Sequence, residues 1–222
     1  MTFLRTTALT SALAMMAGPA LAQVSAEEVW TDWQALLDSY GMTVTAESET
    51  ISGGTVEVTG AVFSFEIPEG TINIDYGTMT FTDAGNGTVA ITMADTVPVT
   101  ANVTSEEGAA VVSMVISQPG AEVLVSGDPE AMRYDYALPM LSISDFNVEG
   151  DEVPEDFPAL IDITMTDFTG FLAMKDADVR NYDSVTSLGA ILAEISVDVP
   201  ENEGGGAFSM QFNVADLEQP AS

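Results

Sequence analysis

The sequence predicts a mainly β protein: a strongly twisted or curled antiparallel meander of roughly ten strands, with one N-terminal amphipathic helix packed on its apolar face. Three observations carry this expectation. Apolar residues alternate with polar ones in runs from residue 42 to residue 214. Gly, Asn, Asp and Pro clusters separate these runs at short intervals. Only one stretch, residues 25–41, has a convincing helical period.

Taken in order, residues 1–22 read as an export signal. Arg5 supplies the basic start, residues 8–17 an apolar run, and Ala20-Leu21-Ala22 the small-x-small cleavage pattern. The run is too short to span a bilayer, and no later stretch reaches the roughly 20 apolar residues needed. The mature chain is expected to begin near Gln23 and reside in the periplasm or outside the cell. No Cys follows the cleavage site to carry a lipid. Residues 23–215 then form one domain, and 216–222 a frayed tail.

The helix has signals at both ends. Ser25 and Glu28 stand three apart, a capping box in which each side chain satisfies the other's backbone N–H. Glu27 and Glu28 place negative charge at the positive end of the helix dipole. Val29, Trp30, Trp33, Leu36, Leu37 and Tyr40 fall on one face, and Gly41 suits the left-handed residue after the last turn. The helix is expected to fill the curl in part, with Trp33 buried.

Strands are predicted over residues 42–49, 55–67, 71–81, 89–93, 97–103, 109–117, 121–125, 132–138, 141–148, 161–172, 191–199 and 208–214. Asn86-Gly87 is the strongest hairpin signal, because both residues tolerate positive φ. Such short connections favour antiparallel neighbours, since parallel pairing needs long crossovers. In several long strands the apolar phase slips. Val56 and Val58 give way to Phe63 and Phe65 across Gly60, Ile74 and Tyr76 to Met79 and Phe81 across Gly77, and Leu141 and Ile143 to Phe146 and Val148 across Ser144-Asp145. Such slips mark β-bulges, which bend and twist a sheet. A second helix is indicated over residues 176–193, where Val179, Tyr182, Val185 or Thr186, and Gly189 recur at helical spacing among poor helix formers. An acidic loop is expected over 149–156 and a turn over 201–206.

Some of these segments resemble a known family. Val29-Trp30-x-Asp32-Trp33, Tyr40-Gly41-x-Thr43-Val44-Thr45, the run 77–82 leading into Gly85-Asn86-Gly87-Thr88, and Val125-Ser126-Gly127-Asp128-Pro129 are similar to exported alphaproteobacterial proteins catalogued as domain of unknown function 2125. The resemblance spans most of the mature chain and implies export and a β-rich fold. It implies no activity and no catalytic residue. Members are often longer, so the chain corresponds to a short form or to the first portion of the usual architecture.

Charge and composition exclude several functions. Four basic residues stand against 35 acidic ones, a formal net charge of −31. Such a surface repels nucleic acid and anionic membranes. The acids are spread along the chain, as solvation of the surface requires. The absence of Cys removes a disulfide framework, and the absence of His removes the commonest general base and zinc ligand. Lys175 is the sole lysine and sits beside Asp176 as an ordinary surface pair. Gly204-Gly205-Gly206 lacks the lysine of a phosphate loop. No cofactor motif is present. Calcium is the only metal to weigh, with Asp151, Glu152, Glu155 and Asp156, joined by Glu149, or alternatively Asp83 and Asn86, as oxygen donors. Neither set has the spacing of an EF-hand.

The remaining readings rest on apolar surface. One short helix is too little to cover an apolar face from so many strands, and uncovered apolar area of that size marks a binding surface. A non-enzymatic periplasmic protein binding or carrying a lipid-like ligand on the concave face is therefore expected. Trp30, Trp33, Leu37, Met79, Phe81, Tyr134 and Tyr136 are its candidate contacts. The alternative is a structural or protein-interaction module of the cell envelope. A carboxylate-based hydrolase comes third.

Overall fold

The computed structural model describes residues 23–105, 108–150, 159–175, 181–199 and 206–218. One helix, α1 (Ala26–Ser39), precedes β1 (Met42–Thr45), β2 (Ser48–Ser52), β3 (Thr55–Ile67) and β4 (Gly70–Gly85). There follow β5 (Thr88–Thr92), β6 (Thr96–Ser105), β7 (Gly108–Ser117) and β8 (Glu122–Asp128). The last four are long: β9 (Ala131–Gly150), β10 (Ala159–Lys175), β11 (Asn181–Val199) and β12 (Gly206–Glu218). All twelve strands belong to one sheet whose pairs are antiparallel.

The helix ends as its sequence requires. Ser25 Oγ accepts from the Glu28 N–H at 3.3 Å while the Ser25 N–H donates to Glu28 Oε2 at 2.9 Å. Gly41, at φ 74°, donates its N–H to the Asp38 carbonyl at 2.9 Å. The β4–β5 hairpin turns on Asn86 and Gly87, at φ 53° and 74°.

The sheet departs from a simple meander at one place. Its main path runs β1-β3-β4-β5-β8-β9-β10-β11-β12, while β6 pairs with β4 and β7, and β7 with β9. The long strands β4 and β9 thus each meet two different short partners, and the sheet forks between them. One arm is β5–β8, beside Thr80–Gly85 of β4 and Ala131–Ala137 of β9. The other is β6–β7, beside Gly70–Ile74 of β4 and Ser142–Gly150 of β9. Gln118 stitches the arms together: its backbone N–H donates to the Asp95 carbonyl at 2.7 Å and its buried Nε2 to the Ala94 carbonyl at 3.1 Å.

The phase slips coincide with irregular backbone. The β3–β4 register shifts between Val58 and Ala61, where Gly60 and Gly77 adopt φ of 62° and 61°. The β7–β9 register shifts opposite Asp145, at φ 54°. A further change of phase occurs at Asp167, φ 53°. Ile161, Ile163 and Met165 are half-buried before it, and Phe168, Leu172 and Met174 are covered after it. These bends curl the sheet. Laid flat, β1 and β10 would stand roughly 29 Å apart at ordinary strand spacing. Met42 of β1 and Leu172 of β10 nevertheless line one cavity.

The core lies at the helix end. Val29, Val56, Val58, Met79, Phe81 and Val89 are fully buried there. Trp30 packs on Phe81 with ring centroids 5.2 Å apart, and its indole Nε1 donates to Glu49 Oε1. The Ala26 N–H donates to Asp83 Oδ1 at 2.8 Å, fixing the start of α1 against β4.

Several boundaries differ from the sequence expectation. Residues 181–193 continue β11 and are not helical; 176–180 lie outside the described residues. Tyr182 is exposed and Val185 half-buried there, so the three-residue spacing marks no apolar helical face. Residues 132–138 and 141–148 are one strand, β9, carried through Pro139. The tail expected from residue 216 is still paired: Leu217 and Glu218 sit opposite Leu188 and Ser187. Glu149 and Gly150 are in β9, while 151–156 of the acidic loop and 201–205 lie outside the described residues. Residues 1–22 also lie outside them. Among the described residues no helix is long and apolar enough to cross a membrane.

Candidate functional site

Between α1 and the curl lies a cavity of about 390 Å³. The helix contributes Trp33, Leu36 and Leu37; the strands near it, Met42, Phe63, Ile74 and Tyr76. The opposite wall comes from Val123, Tyr134, Tyr136 and Leu138, and from Phe168, Leu172 and Met174 of β10. Every one of these side chains is aliphatic, aromatic or a thioether.

The tyrosines explain how the wall stays apolar. Tyr134 turns its hydroxyl to Asp32 Oδ2, donating at 3.1 Å. Tyr136 shares a 2.7 Å hydrogen bond with Thr186 Oγ1 and stacks its ring on Phe168 at 5.4 Å. Gly170, directly opposite Tyr136, leaves the room this ring needs; a Cβ there would meet the Val185 carbonyl and the Tyr136 hydroxyl. Tyr76 packs against Phe63 at 4.7 Å, and burial raises its phenol above the ordinary pKa of 10.0.

The seven sequence candidates divide into two groups. Trp33, Leu37, Tyr134 and Tyr136 line the cavity. Trp30, Met79 and Phe81 do not; they are sealed in the core beneath α1, at 2%, 0% and 0% exposure. The expected burial of Trp33 is likewise corrected. It is only half-buried, edge-on to Phe63 at 6.5 Å and to Phe81 at 5.6 Å, because Trp30 occupies the closed end. Residues the sequence reading missed, such as Phe63, Val123, Phe168 and Leu172, carried their apolar alternation plainly. Only the tertiary curl singles them out.

The metal candidates gain no support. Asp151, Glu152, Glu155 and Asp156 lie outside the described residues. Asp83 caps α1 and is thereby engaged. Among the described residues no cluster of three or more acidic side chains could hold a metal ion. The one ion pair found among them joins Arg133 to Asp135 at 2.8 Å, with the guanidinium 3.7 Å above the Phe171 ring.

The apolar face does not stop at the cavity. Directly paired residues share a face, so the registers can be followed across the sheet. Ile74, in the cavity wall, pairs with Val99, and Val97 lies two residues away on the same side of β6. From Val97 a single row runs through Ile116, Ile143, Ile163 and Ala193 to Phe212 of β12. The helix does not reach this far, for it packs on β1, β3 and β4. At the β12 end Phe208, Met210 and Phe212 are 58%, 47% and 51% exposed.

No family model, no curated protein and no solved structure matches the chain.

Proposed function

We propose that this is an exported, non-enzymatic protein of the periplasm that binds or carries an apolar, lipid-like ligand on the concave face of its sheet. One observation carries the reading: a cavity of about 390 Å³ lined wholly by apolar and aromatic side chains, beside a helix that covers one end of a longer apolar face. The volume lies within the range of small-molecule pockets, about 300–1,000 Å³. Methionine in the wall, as at Met42 and Met174, suits a lining that adapts to flexible chains. The net charge of −31 disfavours nucleic acid and anionic bilayers as partners. Membership in the family of domain of unknown function 2125 belongs to the same proposal, and supports export. No carboxylate lines the cavity, so a carboxylate-based hydrolase gains nothing from it.

Native mass spectrometry of protein purified from the periplasm tests the reading. A co-purified apolar adduct is expected, on a chain whose N-terminus is residue 23. Stripped protein should take up the neutral dye N-phenyl-1-naphthylamine, and Val123→Trp, which fills the cavity from its wall, should lower that uptake several-fold while unfolding stays cooperative. Stripped, folded protein with neither adduct nor dye uptake would overturn the proposal. The exposed edge at β12 favours the second reading, an envelope interaction module, and the two are compatible.

A further inference from the structure

The sheet has two ends, and they are built differently. At one, β1 and β2 are only four and five residues long and are separated by Ala46 and Glu47. Short, broken edge strands are a standard defence against pairing with another chain. At the other end β12 is thirteen residues long, and among the described residues no strand pairs with its outer side. From Gly206 to Ala215 it carries no charge and no proline. The usual guards of an edge (lysine, proline, an inward charge, a bulge) are missing from that stretch, although the whole chain carries −31.

We infer that β12 pairs antiparallel with β12 of a second copy, giving a two-fold dimer in which the two concave apolar faces form one trough. The register proposed is the one that pairs the whole strand. A two-fold axis normal to the sheet keeps both concave faces on the same side and sets one residue opposite its own copy. Pairing the full strand, Gly206 against Glu218, places Phe212 on that axis. Met210 then faces Val214, and no charged residue lies between them. Parallel pairing would need a two-fold axis along the strands, which turns the two concave faces to opposite sides. Pairing β12 with the β1–β2 end of another copy would give an open filament, and the broken edge there opposes it.

The interface would bury on the order of 1,000 Å² in total, the low end for specific association. A dimer in the micromolar range is expected. Its salt dependence is distinctive: two strongly negative bodies repel at long range while the strand interface is uncharged. Screening therefore strengthens association.

Sedimentation equilibrium of the full chain at two salt concentrations tests this, with Phe212→Glu and Phe212→Lys as variants. Phe212 is half exposed, so neither substitution disturbs the core. The wild type should dimerise, more tightly at higher salt. Each variant alone sets like charges together on the axis and should weaken dimerisation by at least about tenfold. An equimolar mixture of the two should restore a heterodimer. A wild type that stays monomeric, an open-ended aggregate, or an Phe212→Glu dimer of undiminished strength would each overturn the inference. Dye uptake by the monomeric variants reports separately on the cavity, so failure of the dimer and failure of the ligand reading are distinguishable.

Discussion

The two halves of this sheet are made from the same kind of strand and meet different fates. Under α1, apolar residues such as Val56, Val58, Met79 and Phe81 are sealed from water completely. Across β10, β11 and β12 the same alternation leaves Ile161, Ile163, Ile191 and Ile195 half-buried and Phe208, Met210 and Phe212 largely exposed. The difference lies in the covering element, not in the strands. One fourteen-residue helix is about 21 Å long and cannot shield a sheet of this width. Stability should therefore be concentrated at the helix end.

The sharpest test of that contrast is Trp30→Ala. It removes a buried ring packed on Phe81, and should cost about 3–5 kcal/mol in urea unfolding. A loss below about 1 kcal/mol would mean that the helix is peripheral and the contrast false. Gln118→Leu probes the seam between the arms of the fork. It leaves the Ala94 carbonyl without its side-chain donor, an expected cost of about 1–3 kcal/mol in the same measurement. Asp83→Ala takes the acceptor from the Ala26 N–H and should cost about 1 kcal/mol, as loss of a helix cap does.

Tyr76 adds a dependence on pH. Its folded-state pKa is raised above 10.0 by burial, so its contribution is fully present below pH 10 and is lost as pH rises through the folded value. Thermal unfolding from pH 9 to 11 should show a falling Tm, and Tyr76→Phe should flatten that fall. The smallest effect belongs to the open half. Met210→Ser should change stability by less than about 0.5 kcal/mol, because the side chain is nearly half exposed. A cost above 2 kcal/mol would show that β12 is covered in solution even in the monomer.

The fold was largely legible in the sequence because its signals are local. Ser25 with Glu28, Asn86-Gly87, and the slips at Gly60, Gly77 and Asp145 each depend on residues a few positions apart, and each appears where expected. The misreading of β11 has the same origin. Val179, Tyr182 and Val185 stand three apart, a spacing that a helix also produces. The site was legible only in part. That Met79 and Phe81 are apolar is written in the chain, but whether they line a cavity or lie beneath the helix depends on where α1 lands. That position is set by Asp83 holding Ala26 and Glu49 holding Trp30, contacts across 57 and 19 residues that no periodicity encodes.

The fork between β4 and β9 bears on how the chain arrives at this state. The hairpins β4–β5, β6–β7 and β8–β9 are local, and such units close in about 1–10 μs. The fork exists only after β4 has met β6, β5 has met β8, and β7 has met β9. Tyr134 reaches Asp32 only across a separation of 102 residues. Long loops must therefore close before their contacts repay the lost entropy, which places folding among the slow topologies, about milliseconds to seconds. The helix is the first described element, but it packs on β1, β3 and β4, and Tyr134 of the distant β9 donates to its Asp32. The helix is therefore expected to settle after the strands that seat it.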